Sequence, residues 1–130
     1  MATERKLMIV DDEDSIRELL SKYFSDAGFL VKTAANGEEA LNISKDDNIQ
    51  VYYLDLLLPK MNGVELCRKI RKARPTAFLF AMTGYASVFD LVQCREAGFD
   101  DYFTKPLKLE LLLQAANDAF AKLERWRKGG

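Results

Sequence analysis

The sequence contains no histidine. This absence excludes acid–base catalysis by imidazole, metal sites built from imidazole, and a phosphohistidine carrier role. Cysteine is also scarce: Cys67 and Cys94 are the only two, and each lies in a stretch of helical pattern without a second cysteine at metal-ligand spacing. We therefore interpret both as helix residues without special chemistry.

Neither an excess of one charge nor a long apolar segment is present. Lys plus Arg number 19 against 20 Asp plus Glu, so charge does not indicate nucleic acid or anionic lipid as a direct partner. The N-terminus is apolar for only about four residues before Asp11, too few for a signal peptide or a membrane span. We expect a cytoplasmic protein without membrane contact. The 130 residues suit a single domain over 1–130, with a core from about 5 to 125.

Five short apolar runs alternate with stretches of helical periodicity. The runs predict strands over residues 7–10, 29–34, 51–54, 77–82 and 100–103. The periodic stretches predict helices over 14–27 (ended by Gly28), 37–44, from a cap at 62 to about 72, 86–97 (ended by Gly98), and one after Pro106. Alternating strands and helices predict an α/β fold, a doubly wound parallel sheet with five helices.

Polar residues follow four of the predicted strands, and in a parallel sheet those strand ends share one edge, where ligands bind. They are Asp11 and Asp12 after the first strand, Asp55 after the third, Thr83 (with Gly84 next to it) after the fourth, and Lys105 two residues after the fifth. Each alone has an ordinary interpretation as a helix start, a turn or a solvated charge. Their conjunction at one edge favours a functional site.

Three carboxylates facing one ammonium group would repel one another. The repulsion is about 4 kcal/mol for each pair at 4 Å with an effective dielectric constant near 20. Mg²⁺ would offset it, because this ion takes one or two carboxylates and bridges readily to a phosphoryl oxygen. An aspartate beside such an ion and a lysine is suited to in-line attack on phosphorus. The pattern therefore predicts phosphorylation of one of these aspartates.

Four motifs in order resemble those of the receiver domains of two-component response regulators. They are VDDED, YLDLLLPKMNG, AMTGYA and DYFTKPL, and together they cover essentially the whole chain. The resemblance implies the flavodoxin-like strand order 2-1-3-4-5 and a cis peptide between Lys105 and Pro106. It implies a phosphoacceptor, not an enzyme for other substrates, with a sensor histidine kinase or histidine phosphotransfer domain as donor. The output would be a downstream protein, an output domain of its own, or a homodimer through helix four, strand five and helix five.

The resemblance also implies roles for individual residues. Asp55 would be the phosphoacceptor and a metal ligand. Asp12 would bind Mg²⁺ directly, Asp11 would hold it through water, and Leu57 would contribute its backbone carbonyl. Lys105 would pair with a phosphoryl oxygen.

Further implied roles concern switching and hydrolysis. Thr83 would hydrogen-bond a second phosphoryl oxygen, and Tyr102 would turn inward when Thr83 moves. Gly84 would leave the phosphorus unobstructed. Leu57 and Tyr85 would flank the path of the attacking water, and we expect these two side chains to make the acyl phosphate long-lived because leucine cannot orient a water and a tyrosine ring could shield phosphorus.

Other functions are less compatible with these residues. A flavodoxin-like cofactor binder would need a Ser/Thr/Gly-rich loop after the first strand, where the acidic residues 11–14 would repel a phosphate. An aspartate-nucleophile phosphatase would need a second acid where Leu57 stands. A receiver-like interaction module that works without phosphorylation remains an alternative.

The last predicted helix carries two overlapping patterns. Leu109, Ala116 and Leu123, each followed three residues later by another apolar residue, form a heptad-like seam. The same positions also suit a stripe that faces the core of the domain. The sequence leaves both interpretations open.

Overall fold

Five parallel strands form the centre of the structure, a computed structural model that describes residues 4–84 and 91–129. The strands are β1 (Lys6–Val10), β2 (Leu30–Ala34), β3 (Val51–Asp55), β4 (Phe78–Thr83) and β5 (Asp101–Thr104). Their order in the sheet is β2-β1-β3-β4-β5, which confirms the predicted arrangement. Each observed strand lies within one residue of its prediction at either end.

The helices are α1 (Asp14–Asp26), α2 (Gly37–Asp46), α3 (Gly63–Ala73), α4 (Leu91–Ala97) and α5 (Leu109–Gly129). Gly28 follows the end of α1 with φ of 95°, and the Asn62 side chain caps α3 by accepting from the Glu65 N–H at 2.9 Å, both as predicted. Residues 86–90 of the predicted fourth helix lie outside the described residues. No helix within residues 4–84 and 91–129 combines the length and apolar composition needed to cross a bilayer.

Helices cover both faces of the sheet, so the central strands are apolar along their length. Every residue of β3 is buried, because successive side chains point to opposite faces and both faces are covered. On one face α1 and α5 pack their apolar residues against the sheet, and on the other face α2, α3 and α4 do so. Cys67 and Cys94 lie in helices, as the sequence indicated, and are buried on the second face without forming a disulfide.

The apolar stripe of α5 faces the sheet. Leu112, Ala116 and Ala119 are buried in the core formed with α1, so these seam positions are already used within the chain. Trp126 near the end of the helix is 55% exposed and stacks on Phe78 with ring centroids 6.0 Å apart. The core-facing interpretation of this helix is therefore the one the structure supports.

Arg71 on α3 connects four segments at the edge of the sheet opposite to the strand ends that carry Asp11 and Asp55. Its guanidinium donates to the Gly98 carbonyl from both Nε (3.2 Å) and Nη2 (2.5 Å). It also donates to the carbonyls of Pro75 (2.9 Å) and Ala77 (2.5 Å), and pairs with Asp100 at 2.9 Å. The arginine thereby holds the end of α4 and the starts of β4 and β5 to α3.

We expect Arg71→Met to lower the free energy of unfolding by about 2–3 kcal/mol, because methionine leaves several partly buried carbonyls without a donor. Urea denaturation measures the difference. Arg68→Met is the matched control, since Arg68 is an exposed residue of the same helix and its substitution should change stability by less than about 0.5 kcal/mol. Equal losses of stability in the two variants would contradict the role of Arg71 in holding these segments together.

Candidate functional site

Two buried carboxylates lie at the carboxyl edge of the sheet. Asp11 directly follows β1 and is fully buried, and Asp55 ends β3 and is 4% exposed. In each residue Oδ1 accepts a hydrogen bond from a backbone N–H two residues on, that of Glu13 at 3.0 Å and that of Leu57 at 3.1 Å. The two Oδ2 atoms are left to interact with the same cation.

That cation is Lys105, in the loop after β5. Its Nζ lies 3.0 Å from Asp11 Oδ2 and 3.3 Å from Asp55 Oδ2, with Glu13 Oε1 farther away at 3.7 Å. The Lys105 backbone N–H donates to the Thr83 carbonyl at 2.8 Å, and the peptide between Lys105 and Pro106 is cis, as the family resemblance implied. The lysine is therefore attached to the end of β4 while its side chain bridges the two carboxylates.

A third carboxylate, that of the exposed Asp12, completes an acidic cluster. One oxygen from each of Asp11, Asp12 and Asp55 lies within 4.8 Å of the other two. Oxygens bound to one Mg²⁺ at about 2.0–2.1 Å are about 3–4 Å apart, so these three suit one ion if a residue binds through water or the loop adjusts slightly. The donors are all hard oxygens, and the combined negative charge of the three carboxylates exceeds the single positive charge of Lys105. The cluster therefore fits a hard divalent cation such as Mg²⁺.

Burial and like charge make ionised Asp55 unfavourable. Burial, followed by the negative charge of Asp11, raises the pKa of Asp55 to about 6, although the Leu57 N–H and Lys105 oppose this change. Burial acts to lower the pKa of Lys105, but Asp11 and Asp55 outweigh it and raise that pKa above its ordinary value. Lys105 is thus charged at neutral pH, yet one lysine does not fully compensate the carboxylates.

Thr83 and Gly84 lie at the same edge of the sheet, beside Lys105. Thr83 is fully buried at the end of β4, and Gly84 is exposed. A Cβ atom added at Gly84 would lie 3.8 Å from the Cβ of Lys105. Tyr102 is half-buried on β5 opposite Ala81, two residues back from the pairing of Thr83 with Thr104. The structure therefore places Thr83 and Gly84 at the site, whereas Tyr102 lies two residues before the end of β5.

Of the two residues expected to flank the attacking water, Leu57 is among the described residues. The backbone of Leu57 contacts Asp55, and its side chain is 47% exposed. Tyr85 lies outside the described residues. The expectation that they protect an acyl phosphate stays a prediction.

Gly63, the first residue of α3, supports the site but was not among the predicted site residues. A Cβ at this position would lie 2.4 Å from the Asp55 carbonyl oxygen and 2.7 Å from the Leu56 Cα. Its N–H donates to the Leu56 carbonyl at 2.9 Å, closing the loop behind the phosphoacceptor candidate. The signal in the sequence is a glycine directly after the Asn62 cap, but a cap alone does not indicate contact with Asp55.

Comparison with known proteins gives the family. Residues 7–117 match the response regulator receiver domain, and the chain belongs to this family of two-component signalling proteins. A structure of a CheY-like receiver domain protein from Methanospirillum hungatei has a TM-score of 0.88 at 31% identity, over 98% of this chain and 100% of that one.

Two curated relatives are longer than this chain. A cyclic di-GMP phosphodiesterase of Thermotoga maritima is 40% identical over 106 residues, covering 82% of this chain and 28% of the relative. The alkaline phosphatase synthesis transcriptional regulatory protein PhoP of Bacillus subtilis is 38% identical over 102 residues, covering 78% of this chain and 42% of the relative. The chain thus spans less than half the length of either relative.

We expect Gly63→Ala to destabilise the fold by about 1–3 kcal/mol, because the new methyl group would overlap backbone atoms that cannot rotate away. The amide resonance of Leu57 should also shift, since the Asp55 carbonyl must move. Gly84→Ala is the matched control, because its methyl group would meet Lys105 only at an ordinary contact distance of 3.8 Å. Similar stabilities of the two variants would refute the role of Gly63.

We expect Asp55→Asn to stabilise the metal-free protein by roughly 2–3 kcal/mol at pH 7, since one pKa unit corresponds to about 1.4 kcal/mol. The pKa of Asp55 is about 6 in the folded chain and 3.8 as its ordinary value, so the wild-type protein loses stability as pH rises between these values. The advantage of asparagine should therefore disappear at pH 4 and below.

Urea denaturation in the presence of a chelator, repeated across this pH range, measures the effect. Asp46→Asn removes an exposed carboxylate as a control and should show no such dependence. An advantage of Asp55→Asn that persists unchanged at pH 4 would mean that ionisation is not its cause.

Proposed function

We propose that this chain is a single receiver domain that accepts a phosphoryl group on Asp55 in a Mg²⁺-dependent reaction. The observation that carries the proposal is a buried carboxylate, 3.3 Å from the Lys105 ammonium, inside a cluster of three acidic residues. A carboxylate that is costly to keep ionised gains from a reaction that joins it to an electrophile and a cation.

In the proposed reaction a carboxylate oxygen of Asp55 forms a bond to phosphorus. The bond between phosphorus and the donor's leaving atom breaks, and the leaving atom departs with its electron pair. Lys105 would pair with one phosphoryl oxygen, and the Thr83 hydroxyl would hydrogen-bond another. Asp12 would bind Mg²⁺ directly and Asp11 through water, with Asp55 and the Leu57 carbonyl completing the protein ligands. Bound Mg²⁺ would neutralise charge on the transferring phosphoryl group.

The proposed partners follow from the family to which the chain belongs. The donor would be a sensor histidine kinase or a histidine phosphotransfer domain, as membership of the receiver domain family implies. The relatives are named as a transcriptional regulatory protein and a phosphodiesterase, which supports an output domain or a separate protein as the receiver of the signal. Turnover of other substrates is not proposed, because Leu57 stands where a general acid would be needed.

The proposed switch couples Thr83 to the surface of α4, β5 and α5. Thr83 would move toward the phosphoryl group, and Tyr102 would turn inward as it did so. The exposed apolar side chains of Leu91, Val92 and Leu111 support this surface as the place where a partner or a second copy binds.

Intact mass spectrometry with acetyl phosphate as a small phosphodonor tests the reaction. With Mg²⁺ the wild-type chain should gain about 80 Da, the mass of one phosphoryl group. Asp55→Asn should gain nothing, and a chelator should prevent the gain. Asp46→Asn should be labelled like the wild type, because Asp46 is an exposed residue of α2 outside the cluster.

The labelling pattern also separates the alternatives. Labelling of Asp55→Asn at the wild-type level would reject Asp55 as the acceptor. A wild-type chain that remains unlabelled by acetyl phosphate and by histidine-phosphorylated donors would favour an interaction module that works without phosphorylation.

A further inference from the structure

Arg17, in the first turn of α1, contacts the peptide group between Asp11 and Asp12. Its Nη1 donates to the Asp11 backbone carbonyl at 2.7 Å, and its Nη2 pairs with Asp14. The Arg17 side chain is only 19% exposed although it lies at the start of a surface helix. The phosphoryl transfer proposed above gives this arginine no role.

The segment that Arg17 contacts is held at Asp11 and at Glu13, but not through the side chain of Asp12. The N-cap residue of α1 is Glu13, whose side chain makes no capping hydrogen bond. Asp11 is held through its N–H, which donates to the Ala34 carbonyl at 3.1 Å, and through its buried carboxylate. Within residues 4–84 and 91–129, no hydrogen bond or ion pair holds the exposed Asp12 carboxylate. The direction of Asp12 therefore depends on the orientation of the peptide before it.

We infer that Arg17 is a positioning residue for the magnesium site, which it serves by holding the carbonyl of the Asp11–Asp12 peptide. This inference rests on the proposed function, because it assumes that the acidic cluster binds Mg²⁺. The bond from Nη1 fixes the orientation of that peptide and so directs the Asp12 carboxylate toward Asp11 and Asp55. Residues that orient metal ligands in this way typically change metal affinity by about 10- to 100-fold when they are replaced.

The charge of Arg17 alone would have the opposite effect. A guanidinium near the cluster repels a second cation, so its removal would strengthen Mg²⁺ binding if charge were its main contribution. A contribution only to helix stability would change the melting temperature and leave the Mg²⁺ affinity unchanged. The direction of the affinity change therefore distinguishes positioning from both other roles.

Isothermal titration of the full chain with Mg²⁺ provides the test. For Arg17→Met we expect the dissociation constant to rise about tenfold, the low end of the usual range. Arg17→Lys keeps the charge and one donor and should lie between this variant and the wild type. Lys22→Met is the matched control, since Lys22 is a 79% exposed cation of the same helix whose recorded partner is Asp26. It should bind Mg²⁺ as the wild type does, or slightly more tightly.

Amide spectra of the metal-free protein give a second measurement. The resonances of Asp12 and Glu13 should shift in Arg17→Met and stay unchanged in Lys22→Met. Affinity in Arg17→Met equal to or tighter than in Lys22→Met would overturn the inference, even if the melting temperature falls. If Arg17→Met does not fold, Arg17→Lys decides: weaker binding supports positioning, and wild-type binding rejects it. A wild-type chain that shows no Mg²⁺ binding would reject the metal site itself, and the inference with it.

Discussion

Repulsion between two buried carboxylates is the constraint on which this site depends. Asp11 and Asp55 both direct Oδ2 at Lys105, so one ammonium group compensates two charges in a place that water hardly reaches. Burial, with the negative charge of Asp11 added to it, raises the pKa of Asp55 even beside Lys105. A protonated Asp55, a bound divalent cation or a modified carboxylate each relieves this repulsion, and the receiver family to which the chain belongs is consistent with the last two.

The parallel sheet brings the two carboxylates and Lys105 together and stabilises the fold that holds them. Because β1, β3 and β5 all end at one edge, Asp11, Asp55 and Lys105 meet there although up to 94 residues separate them in sequence. Burial of apolar side chains on both faces of the sheet offsets the electrostatic cost. Gly63 adds a local requirement, because the loop after Asp55 closes so tightly that no Cβ fits against its carbonyl.

The two ends of the sheet have different constraints. At the carboxyl edge, the Lys105 N–H and the Thr83 carbonyl join the lysine of the site to the threonine of the proposed switch. At the opposite edge, Arg71 holds the end of α4 to α3 and to the starts of β4 and β5. A movement of Thr83 would therefore act directly on Lys105, while the far end of the same strand pair stays anchored.

The apolar runs predicted the strands from sequence alone, and the polar residues that follow them predicted that Asp11, Asp55 and Lys105 meet at one edge of the sheet. This worked because a parallel sheet brings all its strand ends to one edge. The strand order came from the family resemblance. Tertiary structure alone decided that Lys105 bridges two Oδ2 atoms, that α5 faces the core, and that Gly63, Arg17 and Arg71 have particular partners. These contacts join single atoms of distant segments, and such contacts leave no periodic pattern in a sequence because they depend on how the helices pack against the sheet.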